Sequence, residues 1–236
     1  MIIGINGYSG SGKDTVGIII QYLHCNNAGQ LTIEDVCKDY SSHEWWLEDQ
    51  SGWEVMKFAG KLKDIASHLT GIDREMFEDQ EFKKTVLGTE WWTPCDEGMQ
   101  PMTVRDLLQK LGTECMRTGL HTNTWVNALM ADYVPQPNKT IEDSFEEQLV
   151  TGSSTIHYEY PNWIITDTRF PNEAKAIKDK GGIIIRVERP GVEPINDHPS
   201  ETGLDHWKFD YKIANVSGLF ELKENVKDIL KHSKLL

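Results

Sequence analysis

Seven residues near the amino terminus, Gly7-Tyr8-Ser9-Gly10-Ser11-Gly12-Lys13, have the spacing of a phosphate-binding loop: a glycine, four residues, then Gly-Lys. Glycines accept positive φ, so successive backbone N–H groups can turn inward around an anion with no Cβ in the way. Lys13 would then supply a point charge for the β- and γ-phosphates of a nucleotide. The usual Ser or Thr directly after the lysine is replaced by Asp14, with Thr15 next; either side chain could reach a Mg²⁺, directly or through water. An ordinary glycine-rich turn is the competing explanation, and the flanks argue against it. Met1 to Asn6 is an apolar run suited to a buried strand, and Lys13 to Leu23 reads as a helix whose N-terminal N–H groups and dipole add to an anion site.

Other candidates lie further along. Asp167 ends the apolar run Trp163-Ile164-Ile165-Thr166, the position of a second Mg²⁺ contact in a chain with such a loop, and Arg169 follows two residues later. Lys61 and Lys63 stand where a strand over Trp53 to Phe58 meets a helix running to about Thr70. Ligands of open α/β sheets bind beyond the carboxyl ends of strands, so a lysine there is either an anion contact or a solvated surface charge. Arg105 and Gln109 are four apart on one helical face and could grip a phosphate and a base edge, although a solvated polar face is the commoner explanation. Asp197, His198, Ser200 and Glu201 put too many polar groups in one turn-rich stretch for a core.

Composition narrows the partners. The formal charge of −13 over 236 residues disfavours nucleic acid and anionic membrane as large surfaces, while leaving room for a small anion in a local basic pocket. Four cysteines without a Cys-x-x-Cys pair read as reduced thiols of a cytoplasmic protein. The short apolar start has no basic region before it and no run is long enough to span a membrane, so the expectation is a soluble, unexported chain.

The elements that must position these residues follow from periodicity. The length suits one α/β domain over 1–236, with insertions at about 26–52, 88–101 and 134–161. Residues 26–52 read as a polar, irregular surface excursion in which Trp45 and Trp46 serve packing. Asp73 to Leu87 reads as a charged helix, Gly88 to Pro101 as a loop, and Thr103 to about Met116 as a regular helix with a core stripe of Val104, Leu107, Leu108, Leu111 and Cys115. A short helix is expected over Thr124 to Tyr133, then an acidic loop. Asn162 to Asp167 and Ile183 to Glu188 are strands around a helix that starts at Pro171, is favoured electrostatically by Glu173 and stops at Gly181-Gly182. Tyr211 to Ala214 is a last strand, and Ser217 is placed to cap a final helix with Leu219, Leu222, Val226, Ile229 and Leu230 facing inward.

Taken in order, a series of short motifs resembles the bacteriophage deoxynucleoside monophosphate kinases, a branch of the nucleoside monophosphate kinase-like P-loop enzymes. They are Ser11-Gly12-Lys13-Asp14-Thr15; Ala59-Gly60 with Lys63-Asp64; Val104-Arg105, Leu107, Gln109 and Leu111-Gly112-Thr113; Trp125-Val126 with Asp132-Tyr133; Asp167-Thr168-Arg169 with Glu173; Arg189-Pro190-Gly191; and His198, Glu201 and Gly203-Leu204. The resemblance implies an α/β P-loop NTPase fold, a five-stranded parallel sheet flanked by helices with inserted acceptor-binding and lid segments. It implies ATP and Mg²⁺, a deoxynucleoside monophosphate as acceptor, and phosphoryl transfer giving ADP and the diphosphate. Gly7, Ser9, Gly10, Ser11, Gly12, Lys13, Asp14 and Thr15 would bind ATP, with Asp14, Thr15 and Asp167 toward the metal. Gly60, Lys63, Arg105, Gln109, Trp125, His198 and Glu201 would line the acceptor site, and Lys13, Arg105, Arg169 and Arg189 would carry the transfer. His198 and Glu201 have a second reading as a hydrogen-bonded pair that orders its loop. Animal-type phosphomevalonate kinases are similar in the Gly-Lys-Asp loop, the Asp-Thr-Arg strand end and Glu201-Thr202-Gly203-Leu204-Asp205, which makes another phosphate acceptor the alternative; a non-kinase nucleotide switch is more distant. A homodimer is left open.

Overall fold

Ile2, Ile3 and Ile5 are wholly buried in strand β1 (Ile2–Asn6), as a strand covered on both faces requires. The computed structural model describes residues 1–25, 31–137, 157–194 and 199–236. The chain forms two compact units, Met1–Met56 with Met130–Leu236, and Lys57–Leu129.

The first unit is built on five parallel strands: β1, β2 (Trp53–Met56), β3 (Asn162–Ile165), β4 (Ile183–Glu188) and β5 (Tyr211–Ala214), in the order β2-β3-β1-β4-β5. The sheet matches the expected fold, with β1 at its centre: Gly4 is in register with Ile165 on one side and Ile184 on the other. Helix α1 (Lys13–His24) packs on the sheet through Gly17, where a Cβ would come within 2.9 Å of Thr166 Cγ2. Gln21, wholly buried, anchors the far end of α1, donating to the Trp53 carbonyl at 2.8 Å and accepting from the Tyr40 hydroxyl at 3.1 Å.

The excursion expected over 26–52 is instead mostly helical: α2 (Ile33–Lys38) and α3 (Tyr40–Ser51) follow, with 26–30 outside the described residues. Thr32 and Asp35 cap α2 reciprocally, each side chain accepting the other's backbone N–H. The apolar stripe here is sparse, only Ile33, Val36 and Leu47 being buried, which is why periodicity did not betray it. Trp46 packs on the core as expected, but Trp45 is 77% exposed.

Of the acidic insertion, 138–156 lies outside the described residues. At its base Gln136–Pro137 pairs antiparallel with Tyr158–Glu159, and Tyr133 stacks on Tyr160 at 5.0 Å. After β3 come α7 (Pro171–Asp179), α8 (Pro199–Thr202) and α9 (Leu219–His232). Helix α9 buries Leu222, Val226 and Leu230 as expected, but its cap is Gly218 with no side-chain hydrogen bond, so Ser217 does not cap it.

In the second unit, α4 (Gly60–Thr70), α5 (Val104–Gln109) and the turns between them enclose Ala66, Phe77, Leu87, Val104 and Leu107. The helix expected over 73–87 is replaced by two 3₁₀ turns, Arg74–Glu78 and Phe82–Lys84. Asp73 and Asp79 explain the difference: their carboxylates accept the N–H groups of Glu75 and Phe82, so each segment restarts with its own local cap. The expected loop 88–101 contains a 3₁₀ turn (Thr89–Trp91) and a hairpin pairing Thr93–Cys95 with Gly98–Gln100. Beyond Gln109 the expected α-helix widens into a π-helix, Lys110–Leu120, followed by α6 (Thr124–Met130). Leu107, Gly112 and Arg117 are buried five residues apart, and Cys115, assigned to the core by a period of 3.6, is exposed.

Candidate active site

The loop after β1 is tightly packed where two of its glycines turn. Gly7 and Gly12 have φ of 155° and 102°. A Cβ on Gly7 would lie 2.5 Å from both Ser11 Oγ and the Val187 carbonyl, and one on Gly12 would lie 2.6 Å from Asn215 Nδ2. Asn215, just after β5, also donates to the Ser11 carbonyl at 2.9 Å and so fixes the loop from outside. Ser11 Oγ is buried and, among the described residues, has no hydrogen-bond partner. A buried hydroxyl with no partner, in a loop of this glycine spacing, fits a site whose missing partner is a phosphate oxygen.

Lys13, 9% exposed, folds back to donate to the Tyr8 carbonyl at 2.7 Å. Burial and then the nearby Arg169 guanidinium push its ammonium down to about 8, against the opposing pull of Asp14, Glu201 and Asp167. Lys13, Asp14, Asp167, Arg169 and Glu201 therefore share one neighbourhood. Asp14 is oriented from β3, its Oδ1 accepting the Thr166 hydroxyl at 2.9 Å. Thr15 and Asp167 are half-buried. Two carboxylates and a hydroxyl are the hard oxygen donors that suit Mg²⁺, which keeps water and phosphate oxygens for the rest of its shell. No three His, Cys, Asp or Glu side chains among the described residues converge as a metal cage.

Arg169 is held by a buried carboxylate on each side. Glu173, 1% exposed, accepts the Arg169 N–H at 2.7 Å and the Phe170 N–H at 3.0 Å, fixing the turn between β3 and α7. Glu201 accepts from the Arg169 guanidinium at 2.9 Å with its side chain 5% exposed. Gly203 allows the approach, since a Cβ there would sit 2.8 Å from the Arg169 carbonyl. His198 lies outside the described residues. Arg189, exposed, reaches the loop from the end of β4 and donates to the Gly10 carbonyl at 3.3 Å.

Sequence reasoning missed the brace under the loop. Arg186, 7% exposed in β4, donates to Asn6 Oδ1 and to Asp205 Oδ1 at 3.3 Å, and lies 4.5 Å from the centre of the Tyr8 ring. The Tyr8 hydroxyl donates to the same Asp205 oxygen at 3.0 Å. The available signal was an arginine inside the apolar run Ile183-Ile184-Ile185-Arg186-Val187, where a buried charge needs partners.

The second unit holds the remaining candidates. Lys63 is buried and pairs with Glu78, which also binds Arg74 at 2.8 Å and Lys57 at 3.6 Å. Burial works to raise Glu78, but the hydrogen bond from Lys63 and the charges of Lys57, Lys63 and Arg74 outweigh it and hold the carboxyl at about 2. Arg105 and Gln109 lie one turn apart on α5, and Arg105 donates to Gln80 Oε1 at 3.4 Å. Gly60 opens α4 with open space where a Cβ would stand. Trp125 is 4% exposed, and its indole N–H donates to the Gly112 carbonyl at 2.9 Å, tying α6 to the π-helix.

Residues 54–226 match the family model described as "Deoxynucleotide monophosphate kinase". The match begins downstream of the glycine loop, so loop and family are separate observations. A provisionally named deoxynucleotide monophosphate kinase of Acanthamoeba polyphaga mimivirus is 27% identical over 77% of this chain and 84% of its own length. The deoxynucleotide monophosphate kinase of Enterobacteria phage T4 is 30% identical over 55% of this chain, an alignment that spans 46% of the phage protein. The deoxynucleoside-5'-monophosphate kinase of Escherichia phage T5 is 22% identical with 96% and 94% of the two chains aligned. The chain belongs to the deoxynucleotide monophosphate kinase family.

Proposed function

We propose that this protein transfers the γ-phosphoryl group of ATP to a deoxynucleoside monophosphate, giving ADP and the deoxynucleoside diphosphate. The observation that carries this reading is the glycine loop around Lys13, with a buried hydroxyl that has no partner among the described residues and a lysine whose charge is weakened by burial and by a second cation, Arg169. Such a site gains most from a polyanion, which satisfies the hydroxyl and restores the ammonium together.

Phosphoryl transfer asks the protein to align two anions and offset their repulsion. Lys13 leaves the Tyr8 carbonyl for the β- and γ-phosphate oxygens. Arg169, kept in place by Glu173 and Glu201, and Arg189, beside Gly10, stabilise charge on the group in transit. Lys63, Arg105 and Gln109 take the acceptor, with Gly60 at the start of α4 giving close backbone approach. The hydroxyl of Thr15 and the carboxylate of Asp167 would hold Mg²⁺, with Asp14 oriented by Thr166. Bound there, the ion would neutralise charge shared by the β- and γ-phosphates. No general base is needed, because a monophosphate oxygen is already ionised near neutral pH.

The test is ADP release, coupled to a spectroscopic readout, across dAMP, dGMP, dCMP, dTMP, the matching ribonucleotides and phosphomevalonate. Turnover with at least one deoxynucleoside monophosphate is expected. Turnover with phosphomevalonate alone would move the acceptor to the other class.

A further inference from the structure

In the second unit, which is acidic overall like the rest of the chain, several cations gather in one place. Lys57, Lys63, Arg74, Lys83 and Arg105 all converge on the short stretch Glu78–Gln80. Glu78 takes Lys63, Arg74 and, at 3.6 Å, Lys57; Asp64 takes the other edge of Arg74 at 2.8 Å. Two cations are left with neutral partners. Among the described residues the Lys83 ammonium donates only to the Glu78 backbone carbonyl, at 3.2 Å, and the Arg105 guanidinium only to the Gln80 amide oxygen, at 3.4 Å.

Lys83 is the less ordinary of the two. It is half-buried and titrates near 8, first because burial disfavours its charge and then because Lys63, Arg105 and Lys57 crowd it, Glu78 only partly offsetting them. Its neighbour Lys84 shows what the local alternative looks like: an exposed lysine paired with Glu81 at 2.7 Å. A half-buried lysine and a nearby arginine that, among the described residues, no carboxylate hydrogen-bonds form an electrostatic fault that one dianion repairs.

Building on the proposed kinase reading, we propose that Lys83 is a phosphate-binding residue of the acceptor site, closing with Arg105 on the 5′-phosphate of the monophosphate over the Glu78–Lys83 turn. Lys63 then keeps Glu78 as its own counter-ion, and the acceptor phosphate answers the two cations that Glu78 leaves over. A structural lysine tying down a turn would need neither the second cation nor the lack of a carboxylate.

Lys83→Met, Lys83→Arg and the control Lys84→Met separate these roles in steady-state kinetics. Lys83→Met is expected to raise KM for the monophosphate about tenfold or more, as loss of a charge-assisted contact does, with KM for ATP and the melting temperature little changed. Lys83→Arg should recover most of the loss, and Lys84→Met should behave as the parent. An unchanged acceptor KM in a folded Lys83→Met protein, or equal rises for both substrates, overturns the proposal while leaving the kinase reading intact. Competitive acylation of wild-type lysines at pH 8 covers the case of a variant that does not fold. Lys83 should be protected by each active monophosphate and by inorganic phosphate at high concentration, and Lys84 should not; equal labelling with and without them refutes the assignment. If no deoxynucleoside monophosphate is phosphorylated by the wild type, the kinase reading itself fails, and protection by phosphate alone then decides whether the anion site exists.

Discussion

Replacing Glu173 by alanine should be among the most damaging single changes in the first unit, for reasons that have nothing to do with contact between Glu173 and a nucleotide. The carboxylate is 1% exposed and accepts two backbone N–H groups, those of Arg169 and Phe170, at 2.7 and 3.0 Å. Truncation leaves two part-buried donors without this acceptor, at about 1–3 kcal/mol each. A further ~0.5 kcal/mol follows from losing an anion at the start of α7. The sum is about 2.5–6.5 kcal/mol, a large share of the stability of a typical domain. Glu173→Gln keeps an acceptor oxygen and should cost about 1–2 kcal/mol, the difference between a charged and a neutral hydrogen bond. Native-state hydrogen exchange of the β1 and β3 amides reads the first unit by itself. The loss should be matched by a fall in kcat/KM, since Arg169 stands on the turn that Glu173 fixes. A Glu173→Ala protein within 1 kcal/mol of the parent would show that those N–H groups are not held as described.

Two further outcomes follow from the same site. Lys13 titrates near 8 in the folded chain against an ordinary 10.5, so the folded state sheds this proton first and stability from Lys13 rises with pH between about 8 and 10.5; nucleotide binding restores the charge and should take up close to one proton at pH 9, read by calorimetry in two buffers of different ionisation enthalpy, whereas no uptake would contradict the assignment. Gly203→Ala puts a Cβ 2.7 Å from the Pro199 carbonyl and 2.8 Å from that of Arg169, so thermal denaturation should show a loss of about 1–3 kcal/mol, and a parental melting temperature would mean that this close approach does not exist.

What could be read from the chain in advance was what lies close together along it. The loop from Gly7 to Lys13, its strand and its helix are consecutive, and the turn from Asp167 to Glu173 is nearly so. Residues 33–51 were misread because only three of them are fully buried, leaving too little apolar pattern to set against the charge. The change from α to π winding after Gln109 moved Cys115 out of the core, and no pattern with a fixed period of 3.6 could register it. Asn6, Arg186, Asp205 and Asn215 are far apart in sequence, and only the sheet order that sets β1 beside β4 and β4 beside β5 makes them one brace. Lys83 stayed hidden for the same reason: as one of two adjacent lysines it looks solvated until Glu78, Lys63 and Arg105 surround it.

Single-turnover transfer from γ-labelled ATP, with each deoxynucleoside monophosphate offered in turn, tests the central claim most directly. The label should appear in the diphosphate of at least one acceptor, with little free phosphate when the acceptor is omitted, and Lys13→Met should reduce that transfer by about a hundredfold or more, the scale of losing a preorganised charge at the transition state. Label released as inorganic phosphate at the same rate with and without acceptor, or transfer undiminished in Lys13→Met, would contradict it.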